Sequence, residues 1–368
     1  MSAYGTKLAE GFSAKMLKHL YTNAPIDEIV NRDYEGEINA VGSKLNILSL
    51  ARITEKTYNG SNLTPDDLSE INAQLVIDQY KSFYWREKTI DKWKSYIKNP
   101  KGTVLQQTAN ERKKNIMTYL LGFWADAAAG QWYGTDYTTG TVAVTTGTGA
   151  VVGTGTTFTS AMVGKPFKAT GHTAWYRVAT FTDATHITIE DDSDDNASSY
   201  SGGAISAGAS YTIQANTAKT IDNSTTKFLT MLDFFKQTLD DAEVPSEDRF
   251  VFIPPVGATS LRNDPGIKLN VPEVYQELVK KGLVTVIDNF QIFEQPSNRF
   301  AGDNTNGFHI VAGHKSWLTL ADKALEVGME EDLIGNFGSA YKDLFVYGGK
   351  VADERRKYAV HGFVKFQQ

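Results

Sequence analysis

The chain contains no cysteine, which excludes disulfide bonds, thiolate nucleophiles and cysteine-ligated zinc. It also lacks any apolar run close to the roughly 20 residues that a membrane-spanning helix needs. Residues 1–21 carry lysines throughout and no apolar block followed by a small-residue cleavage site, so no secretory signal is predicted. We therefore expect the chain to stay in the cytoplasm of the cell that makes it.

Basic residues are fewer than acidic residues. The 368 residues include 37 Lys and Arg against 43 Asp and Glu, which gives a formal net charge of −6. Binding to nucleic acid through a basic face needs clustered cations, so this balance argues against a dedicated nucleic-acid-binding protein. Hydrophobic residues make up 41% of the chain and charged residues 22%, which is typical of folded globular proteins, and the length fits two or three domains.

Catalytic signatures are missing as well. The six histidines form no H-E-x-x-H zinc pattern, no G-x-S-x-G nucleophile motif occurs, and no phosphate-binding loop leads to Lys165. The glycines of residues 147–155 lie among Thr-rich strands and do not precede a helix, which favours turns over a dinucleotide loop. We expect no enzyme: no catalytic residue, no cofactor and no metal ion.

The sharpest acidic run spans residues 191–196. An EF-hand calcium loop has Gly at its sixth position and Glu at its twelfth, whereas this run has Asn196 at the sixth and Gly202 at the twelfth. A solvated loop is therefore favoured over a calcium site.

Residues 131–215 differ in composition from the rest of the chain. This window holds 11 Gly, 18 Thr and 7 Ser, and its only bases are Lys165, Lys168 and Arg177 against seven acids. Short runs of alternating residues, such as residues 141–145 and 186–189, are separated by Gly, Asp and Ser clusters. The pattern predicts a small all-β domain.

Helical patterns flank this window on both sides. Thr108 and Glu111 have the spacing of a capping box, and apolar residues then recur every three or four positions, which predicts a helix over 109–129. After the window, Phe228 to Leu239 repeats that spacing and ends before Pro245. The window is therefore interpreted as an insertion between two helices of one host domain, with its two ends close in space.

Upstream of the first helix the chain is predicted to be extended. Residues 37–47 alternate polar and apolar residues around a Gly-Ser turn, and residues 74–80 form a return strand, so together they predict a long two-stranded arm. Such a hairpin is marginal in isolation, so we expect it to lie on another surface, such as a neighbouring subunit.

Two clusters near this arm admit two functions each. The aromatic residues between 80 and 96 are favoured as packing over a base-stacking platform, because Asp78, Glu87 and Asp91 balance the nearby bases. The basic stretch is favoured as a salt-bridged subunit contact over a nucleic-acid patch. Its members are Lys98, Lys101, Arg112, Lys113 and Lys114.

The C-terminal third mixes strands and helices in irregular order, which predicts an α+β class. Strands are expected at residues 249–253, 284–287 and 308–311 and at the final residues 358–364, and a helix is expected over residues 316–325.

The order of these parts resembles that of tailed-bacteriophage major capsid proteins of the Hong Kong 97 type. The resemblance rests on the extended residues 31–38, on Leu-Asp-Asp-Ala-Glu-Val-Pro at 239–245 with the Arg-led strand of residues 248–255, and on Tyr-Gly-Gly-Lys-Val at 347–351. It covers the chain outside residues 131–215, and that window is similar to the small Ig-like or barrel-like β modules appended to phage structural proteins.

The resemblance implies an α+β Hong Kong 97-type capsid fold with an inserted all-β domain. It implies an N-terminal arm at 1–30, an extended E-loop at 31–80, a peripheral domain with a long spine helix at 81–130 and 216–249, the inserted domain at 131–215, an axial domain at 250–345, and a return to the peripheral domain at 346–368. The inserted domain is expected on the outer face of a shell.

The implied function is structural. A major capsid protein self-assembles as hexamers and pentamers into an icosahedral head that encloses double-stranded DNA without sequence-specific binding, and it works with a portal and with scaffolding or decoration proteins, but with no membrane. Its place is the virion capsid, and the host cytoplasm during assembly. The alternatives are an encapsulin-like shell protein and a phage fibre or adhesin that binds a surface glycan through the β-rich insert. Some members of the family cross-link Lys to Asn, and Lys44 and Lys56 lie in the arm, but no partner residue is identified and no cross-link is predicted.

Overall fold

The computed structural model describes residues 25–32, 44–50, 55, 57–58, 70–88, 100–193, 199–264, 283–330 and 338–367. Three α-helices and four sheets account for most of these described residues. The elements of the N-terminal part are β1 (Val30–Asn31), β2 (Lys44–Leu50), β3 (Glu70–Val76), β4 (Gln79–Lys88), α1 (Pro100–Leu121) and β5 (Trp132–Tyr133). Those of the central part are β6 (Thr135–Tyr137), β7 (Thr141–Val144), β8 (Ala150–Thr154), β9 (Pro166–Ala169), β10 (Tyr176–Asp183), β11 (His186–Asp191), β12 (Ile205–Ala209) and β13 (Tyr211–Thr217).

The C-terminal part returns to mixed structure. Its elements are β14 (Lys219–Ile221), α2 (Phe228–Asp241), β15 (Arg249–Ile253), α3 (Pro255–Asn263), β16 (Leu283–Ile287), β17 (Phe290–Glu294), β18 (Gly302–Asp303), β19 (Gly307–His314), β20 (Leu318–Glu330), β21 (Gly338–Lys350) and β22 (Ala359–Phe366). Short 3₁₀ turns lie at Ile26–Glu28, Gly122–Asp126, Ser160–Met162, Ser297–Arg299 and Asp353–Tyr358.

Two sheets build the host part of the chain. The first has the strand order β1-β20-β21-β4, and the second has the order β14-β22-β19-β15-β17-β16, with β5 also paired to β22 and β18 to β19. A single continuous core joins both sheets with α1 and α2, because buried residues such as Ile116, Phe235, Val251 and Tyr347 belong to one cluster. Burial of this apolar surface is the main stabilising contribution.

The β-rich unit, residues 135–217, has a sheet and a core of its own. Its antiparallel sheet has the order β12-β7-β8-β11-β10-β9-β13-β6. The core contains alternate residues of several strands, including Val142 and Val144 of β7 and Ile187 and Ile189 of β11, which are all buried. Successive side chains of a strand point to opposite faces, so every second residue lies in the core. This agrees with the alternation of residues in the sequence.

The strands that enter and leave the β-rich unit lie end to end along one edge of β22. Trp132 and Tyr133 of β5 pair with His361 and Gly362, and β14 pairs in parallel with residues 364–366. A Cβ added at Gly134 would lie 2.6 Å from the Cα of Ala215, and Thr135 of β6 pairs with Thr217 of β13. The two ends of the unit are therefore close in space.

The helix after this unit confirms the sequence prediction. In α2 the residues Phe228, Met231, Leu232, Phe235 and Leu239 are buried, with the three- and four-residue spacing of one helix face. The strand predictions near residues 249, 284, 308 and 359 are also confirmed, since β15, β16, β19 and β22 occupy those positions.

Two predictions about helices are wrong in their position or type. Helix α1 begins at Pro100, ahead of the predicted start, and Thr108 lies inside it with its hydroxyl donating to the Leu105 carbonyl 2.9 Å away, so this Thr is not a cap. Residues 316–325 are not helical, because β20 begins at Leu318 and continues as a strand between β1 and β21.

Candidate functional site: the arm, its root and the attachment of the β-rich unit

The extended arm is a hairpin of two fully paired strands. Strands β2 and β3 are antiparallel with a continuous register from Lys44 opposite Val76 to Leu50 opposite Glu70, and they form a sheet of their own. An isolated two-stranded hairpin gains little stability from its own packing. The arm therefore depends on the contacts at the end where it joins the rest of the chain.

The root of the arm, residues 75–78, is held against β21. Leu75 and Ile77 are buried, and the backbone of β21 approaches so closely that a Cβ added at Gly348 would lie 2.3 Å from the Val76 carbonyl oxygen. Only glycine tolerates this approach. The arm root is thus fixed to the first host sheet by direct backbone packing.

Helix α1 adds a polar contact to the arm root. The Tyr119 hydroxyl accepts a hydrogen bond from the Gly349 backbone N–H at 3.1 Å and donates to Asp78 at 3.3 Å. Burial raises the pKa of Tyr119 to about 12. The neutral phenol therefore links the helix, the arm root and β21 in a single hydrogen-bonded chain.

The same helix is clamped to the sheet by an ion pair. Arg112 donates to Asp343 of β21 at 2.5 Å, and its guanidinium lies 4.1 Å from the Phe345 ring centroid. The other carboxylate oxygen of Asp343 accepts the Phe83 backbone N–H of β4 at 3.0 Å. The pair therefore joins α1 to β21 and to its neighbour β4, the edge strand of the sheet.

Asp192 forms the attachment between the β-rich unit and the host sheet. Its Oδ1 atom accepts from Arg177 of β10 at 2.5 Å and from Arg356 of the host at 2.6 Å, and its Oδ2 atom accepts the Ala129 backbone N–H at 2.7 Å. The Asp192 side chain is 13% exposed, and those of Arg177 and Arg356 are 11% and 6% exposed. We call these three residues the carboxylate joint.

The charge state of the carboxylate joint is fixed by its geometry. Burial disfavours the ionised carboxylate, but the attraction of Arg177 and Arg356 and the hydrogen bond from Ala129 outweigh it and lower the pKa of Asp192. Arg177 also donates to the Ala127 carbonyl at 2.8 Å. The joint therefore ties the β-rich unit to the turn that follows α1.

Comparison with known proteins shows which solved structures share this fold. No protein-family model matches the chain, and no curated protein matches it. Among solved structures, a chain of Mycobacterium phage Che8 superposes with a TM-score of 0.55 at 18% identity, over 99% of this chain and 98% of that chain. The capsid of cyanophage P-SCSP1u gives 0.53 at 11% identity, over 97% and 93%. The chain has the fold of bacteriophage capsid proteins.

A further capsid structure supports the same assignment of the fold. The capsid of Ralstonia phage GP4 superposes with a TM-score of 0.52 at 10% identity, over 99% of this chain and 98% of that chain. The match extends over nearly the whole of each chain. The expectation of an α+β phage capsid fold is confirmed.

The motif at residues 239–249 has a structural role in this capsid fold. Arg249 is 1% exposed and donates to the carbonyls of Val244 and Pro245 at 2.6 and 2.8 Å, just beyond the C-terminus of α2. It also pairs with Asp240 at 2.7 Å. A buried cation thus satisfies carbonyls of the turn that follows α2 and pairs with Asp240 in the last turn of the helix, so the Leu-Asp run, the proline and the Arg contact one another in the structure.

The first two residues of the acidic run make contacts within the chain. The prediction of a solvated loop is wrong for Asp192, whose side chain is only 13% exposed in the carboxylate joint, and Asp191 accepts the Ser201 backbone N–H at 2.9 Å. Asp194, Asp195 and Asn196 lie outside the described residues. The sequence did contain an indication of the pairing between Asp192 and Arg177, since Arg177 is one of only three bases in the window.

The other candidates from the sequence separate into distinct places. Arg112 lies in the middle of α1 and forms an ion pair within the chain, and Lys114 pairs with Glu111 at 2.9 Å, so these members of the basic stretch do not gather at a helix start. Lys44 opens β2, while Lys56 and Lys98 lie outside the described residues.

The aromatic residues around β4 are divided between two faces of the sheet. Phe83 lies near Arg112, and Trp85 stacks on Tyr341 with the ring centroids 4.3 Å apart, so these two rings pack within the chain. Tyr80 and Tyr84 are 45% and 64% exposed. The packing interpretation therefore holds for the inner face, and the outer face of β4 presents two tyrosines.

The described part of the chain offers no built centre for a metal ion. Within it, no group of three or more His, Asp and Glu side chains is placed to hold one. In the same part of the chain, no helix has the length and apolar character needed to cross a membrane. What the described residues do provide is a two-stranded arm and two sheets, joined to α1 and to the β-rich unit by partly buried ion pairs.

Proposed function

We propose that this chain is the major capsid protein of a tailed bacteriophage, which self-assembles as hexamers and pentamers into an icosahedral head around double-stranded DNA. The observation that carries the proposal is the near full-length superposition on phage capsid chains. The comparisons favour this function over an encapsulin-like shell and over a fibre or adhesin. A shell subunit needs large self-complementary surfaces, and head-to-tail contacts between identical chains close into rings.

Specific elements are assigned roles within this proposal. The arm of β2 and β3 would be the E-loop that overlaps a neighbouring subunit, α1 the spine helix, and the sheet of β1, β20, β21 and β4 the peripheral domain that anchors the arm. The sheet containing β15, β19 and β22 would be the axial domain. Since β22 pairs with β19 throughout, residues 359–366 would belong to the axial domain rather than to a return into the peripheral domain.

The β-rich unit would stand on the outer face of the shell. Its window has a formal charge of −4, from three bases and seven acids, so it would add negative charge to that face. The acidic balance of the chain would keep packaged DNA from adhering to the lining. A portal and scaffolding or decoration proteins would be the partners in assembly, and the virion would be the final location.

Assembly of the purified full-length chain tests the proposal. We expect closed shells in electron micrographs and a fast-sedimenting species in analytical ultracentrifugation. A chain that remains monomeric over a wide range of concentration and salt would contradict the proposal. Elongated trimeric fibres would favour the adhesin alternative instead.

A matched pair of variants tests the role of the arm root. Gly348→Val places side-chain atoms where even a Cβ would lie 2.3 Å from the Val76 carbonyl oxygen, whereas Gly203 in the β-rich unit has nothing within 4 Å of an added Cβ. We expect Gly348→Val to abolish shells and Gly203→Val to retain them, with circular dichroism confirming that both variants fold. Normal shells from folded Gly348→Val would contradict the role of the arm while leaving the capsid function standing.

A further inference from the structure

Three arginines are buried in the described part of the chain: Arg249, Arg299 and Arg356. Two of them have a carboxylate beside the guanidinium, since Arg249 lies 2.7 Å from Asp240 and Arg356 lies 2.6 Å from Asp192. Arg299 is only 5% exposed, yet no carboxylate oxygen of the described residues lies within 4 Å of it. Because buried charges in proteins are normally paired, Arg299 differs from the other two arginines in lacking a compensating charge.

The partner that Arg299 does have is a neutral amide. One of its terminal nitrogens donates to the Oε1 atom of Gln295, which is fully buried. A guanidinium group can only donate hydrogen bonds, so the amide must present its oxygen and not its NH₂ group to Arg299. The contact therefore fixes which end of the Gln295 side chain is the oxygen and which is the nitrogen.

The other end of the same amide has no acceptor. The Nε2 atom of Gln295 is buried and forms no hydrogen bond among the described residues. A buried donor without an acceptor costs free energy, so such groups are rare in folded proteins. Since Oε1 and Nε2 belong to one amide group, this unmet donor lies next to the Arg299 guanidinium. The two side chains together present donors and a positive charge, and they lack an acceptor and a negative charge.

The backbone places this pair at one edge of the second host sheet. Strands β15 and β17 are parallel, and the Gln295 backbone N–H, just after β17, donates to the Ile253 carbonyl at the end of β15 at 3.0 Å. Helix α3 begins at Pro255, two residues further along the chain, so the positive end of a helix follows the same strand end. The carboxyl ends of parallel strands are a common location for ligand sites.

Glu111 is the acidic residue of α1 that acts on Arg299. Burial lowers the pKa of Arg299, and the charge of Glu111 offsets this lowering only in part. Glu111 itself pairs with Lys114 at 2.9 Å. An arginine keeps its proton in proteins, so the Arg299 side chain stays a cation with a neutral amide as its hydrogen-bonded partner.

We propose that Arg299 and Gln295 form a binding site for one oxyanion, a carboxylate or a phosphate group, whose oxygens accept from the guanidinium and from Nε2 of Gln295. We call these two residues the anion site. The bound group supplies both the acceptor and the negative charge that the pair lacks, as Asp240 and Asp192 do for the other buried arginines. Because Arg299 is 5% exposed, the site admits a single small group and not an extended ligand.

Two sources carry this chemistry. One is a free phosphate ion, and the other is a carboxylate side chain from a second copy of the chain. The second source rests on the proposed capsid function, because it requires neighbouring subunits, whereas the first does not.

Inorganic phosphate tests the anion site in the full chain before assembly. The midpoint of thermal unfolding is measured at pH 7 in phosphate and in chloride at equal ionic strength. An anion that binds only the folded chain raises this midpoint progressively with its concentration. Phosphate also stabilises proteins by exclusion from their surfaces, so the rise has to be compared between the unsubstituted chain and variants. Equal midpoints in phosphate and in chloride would overturn the proposal.

Arg299→Met and a matched control assign the response to the site. Arg299→Met removes the buried cation, and we expect a smaller phosphate-dependent rise than in the unsubstituted chain. Arg262→Met removes an arginine of α3 whose side chain is 55% exposed and lies 3.7 Å from Glu294, the residue before Gln295, and it should keep the full rise. A rise in Arg299→Met equal to that of the unsubstituted chain would show surface exclusion only and would refute the site.

Gln295→Glu keeps the test decisive if Arg299→Met does not fold. The change has nearly the same shape, replaces the unmet nitrogen by an acceptor and puts a negative charge beside Arg299. We expect a higher midpoint in chloride and the loss of the additional phosphate response. Gln237→Glu makes the same change on an exposed position of α2 and should alter neither quantity. A lower midpoint of Gln295→Glu in chloride, with an undiminished phosphate response, would contradict the proposal.

Assembled shells distinguish the two sources. Binding of labelled inorganic phosphate is measured by equilibrium dialysis for the unassembled chain and for shells, each with its Arg299→Met counterpart. Binding that depends on Arg299 and is lost on assembly supports the site with a neighbour's carboxylate in it, and binding that persists supports it with a free anion. A chain that forms no shells would contradict the capsid function, while the phosphate response of the unassembled chain would still decide the anion site.

Discussion

Replacing Asp192 by asparagine is expected to weaken the attachment of the β-rich unit by about 3 kcal/mol. Removing one partner of a buried ion pair typically costs about 3–5 kcal/mol, because the remaining charge stays buried without compensation. The lower value applies here because Arg177 and Arg356 keep hydrogen bonds to the Ala127 and Asp126 carbonyls. An asparagine amide would also place an N–H donor against either the two guanidinium groups or the Ala129 N–H.

Hydrogen exchange at the Gly130 amide measures this change. That amide donates to the Gln214 side chain at 2.9 Å, so it reports contact across the boundary without being bonded to Asp192 itself. A loss of about 3 kcal/mol should reduce its protection on the order of 100-fold. Asp233→Asn makes the same chemical change on the exposed face of α2 and should leave the protection unaltered. Protection in Asp192→Asn within threefold of the control would refute the reasoning.

The pH dependence tests whether Asp192 controls the carboxylate joint. The pKa of Asp192 is lowered from 3.8 in the folded chain, so its contribution is fully present above that value and is lost only as the pH falls through the lower folded pKa. The difference between Asp192→Asn and the unsubstituted chain should therefore be equal at pH 7 and pH 5. A difference that disappears at pH 5 would mean that another group controls the joint.

Three further substitutions test the host part by denaturant unfolding. Arg249→Met should lower the free energy of unfolding by about 3 kcal/mol, because it removes a buried cation from the turn that follows α2, whereas Arg262→Met, at a side chain that is 55% exposed, should cost under about 0.5 kcal/mol; equal losses would contradict the role of Arg249 in this turn. Tyr119→Phe should cost about 1–2 kcal/mol by leaving the Gly349 N–H without its acceptor, and an unchanged stability would show that this bond is not needed. Glu243→Gly should raise stability by about 0.5 kcal/mol, since Glu243 has a φ of 57°, and a loss of stability would show that its side-chain contacts outweigh the strain.

Local patterns in the sequence predicted those elements whose environment is local. Helix α2 lies with one face on the host sheet, and its apolar residues show the helical period. The arm was predicted as two extended strands, and β2 and β3 do pair with each other along their whole length. The predicted bounds are wrong for the return strand, because β3 ends at Val76 and β4 begins at Gln79, so residues 74–80 do not form one strand. Residues 37–43 of the predicted first strand lie outside the described residues. In both cases the residues that decide the structure lie within or next to the element itself.

Strand β20 shows why other elements could not be predicted. Its residues Leu318, Leu320 and Ala321 are buried, and the strand is paired on one side with β1 and on the other with β21. A strand buried between two partners loses its alternation of polar and apolar residues, so three- and four-residue spacings arise by chance. Pairing with residues some 290 positions away along the chain, as between Val30 and Leu318, decided its conformation.

The start of α1 was misplaced for a related reason. Thr108 and Glu111 have the spacing of a capping box, but the proline at position 100 already begins the helix, and prolines are favoured in the first turn. The Thr108 hydroxyl then bonds to a carbonyl of the preceding turn, which is the usual fate of a threonine within a helix. A capping pattern therefore indicates a helix start only where no earlier start is available.

The few cations of the β-rich unit indicate where the unit contacts the host part. The window holds only three bases against seven acids, so each base is an exception to its acidic composition. Arg177 lies in the carboxylate joint, Lys165 donates to the Asn216 carbonyl at 2.6 Å while facing the Phe363 ring, and Lys168 lies 5.6 Å from the Trp175 ring centroid. Arg177 and Lys165 therefore lie at the boundary with the host part, together with the acidic Asp192, whereas Lys168 lies by a ring of the β-rich unit itself. Two of the three bases in this window thus indicate the surface by which the unit contacts the host part, because a cation in partly buried surroundings needs a carboxylate, a carbonyl or an aromatic ring beside it.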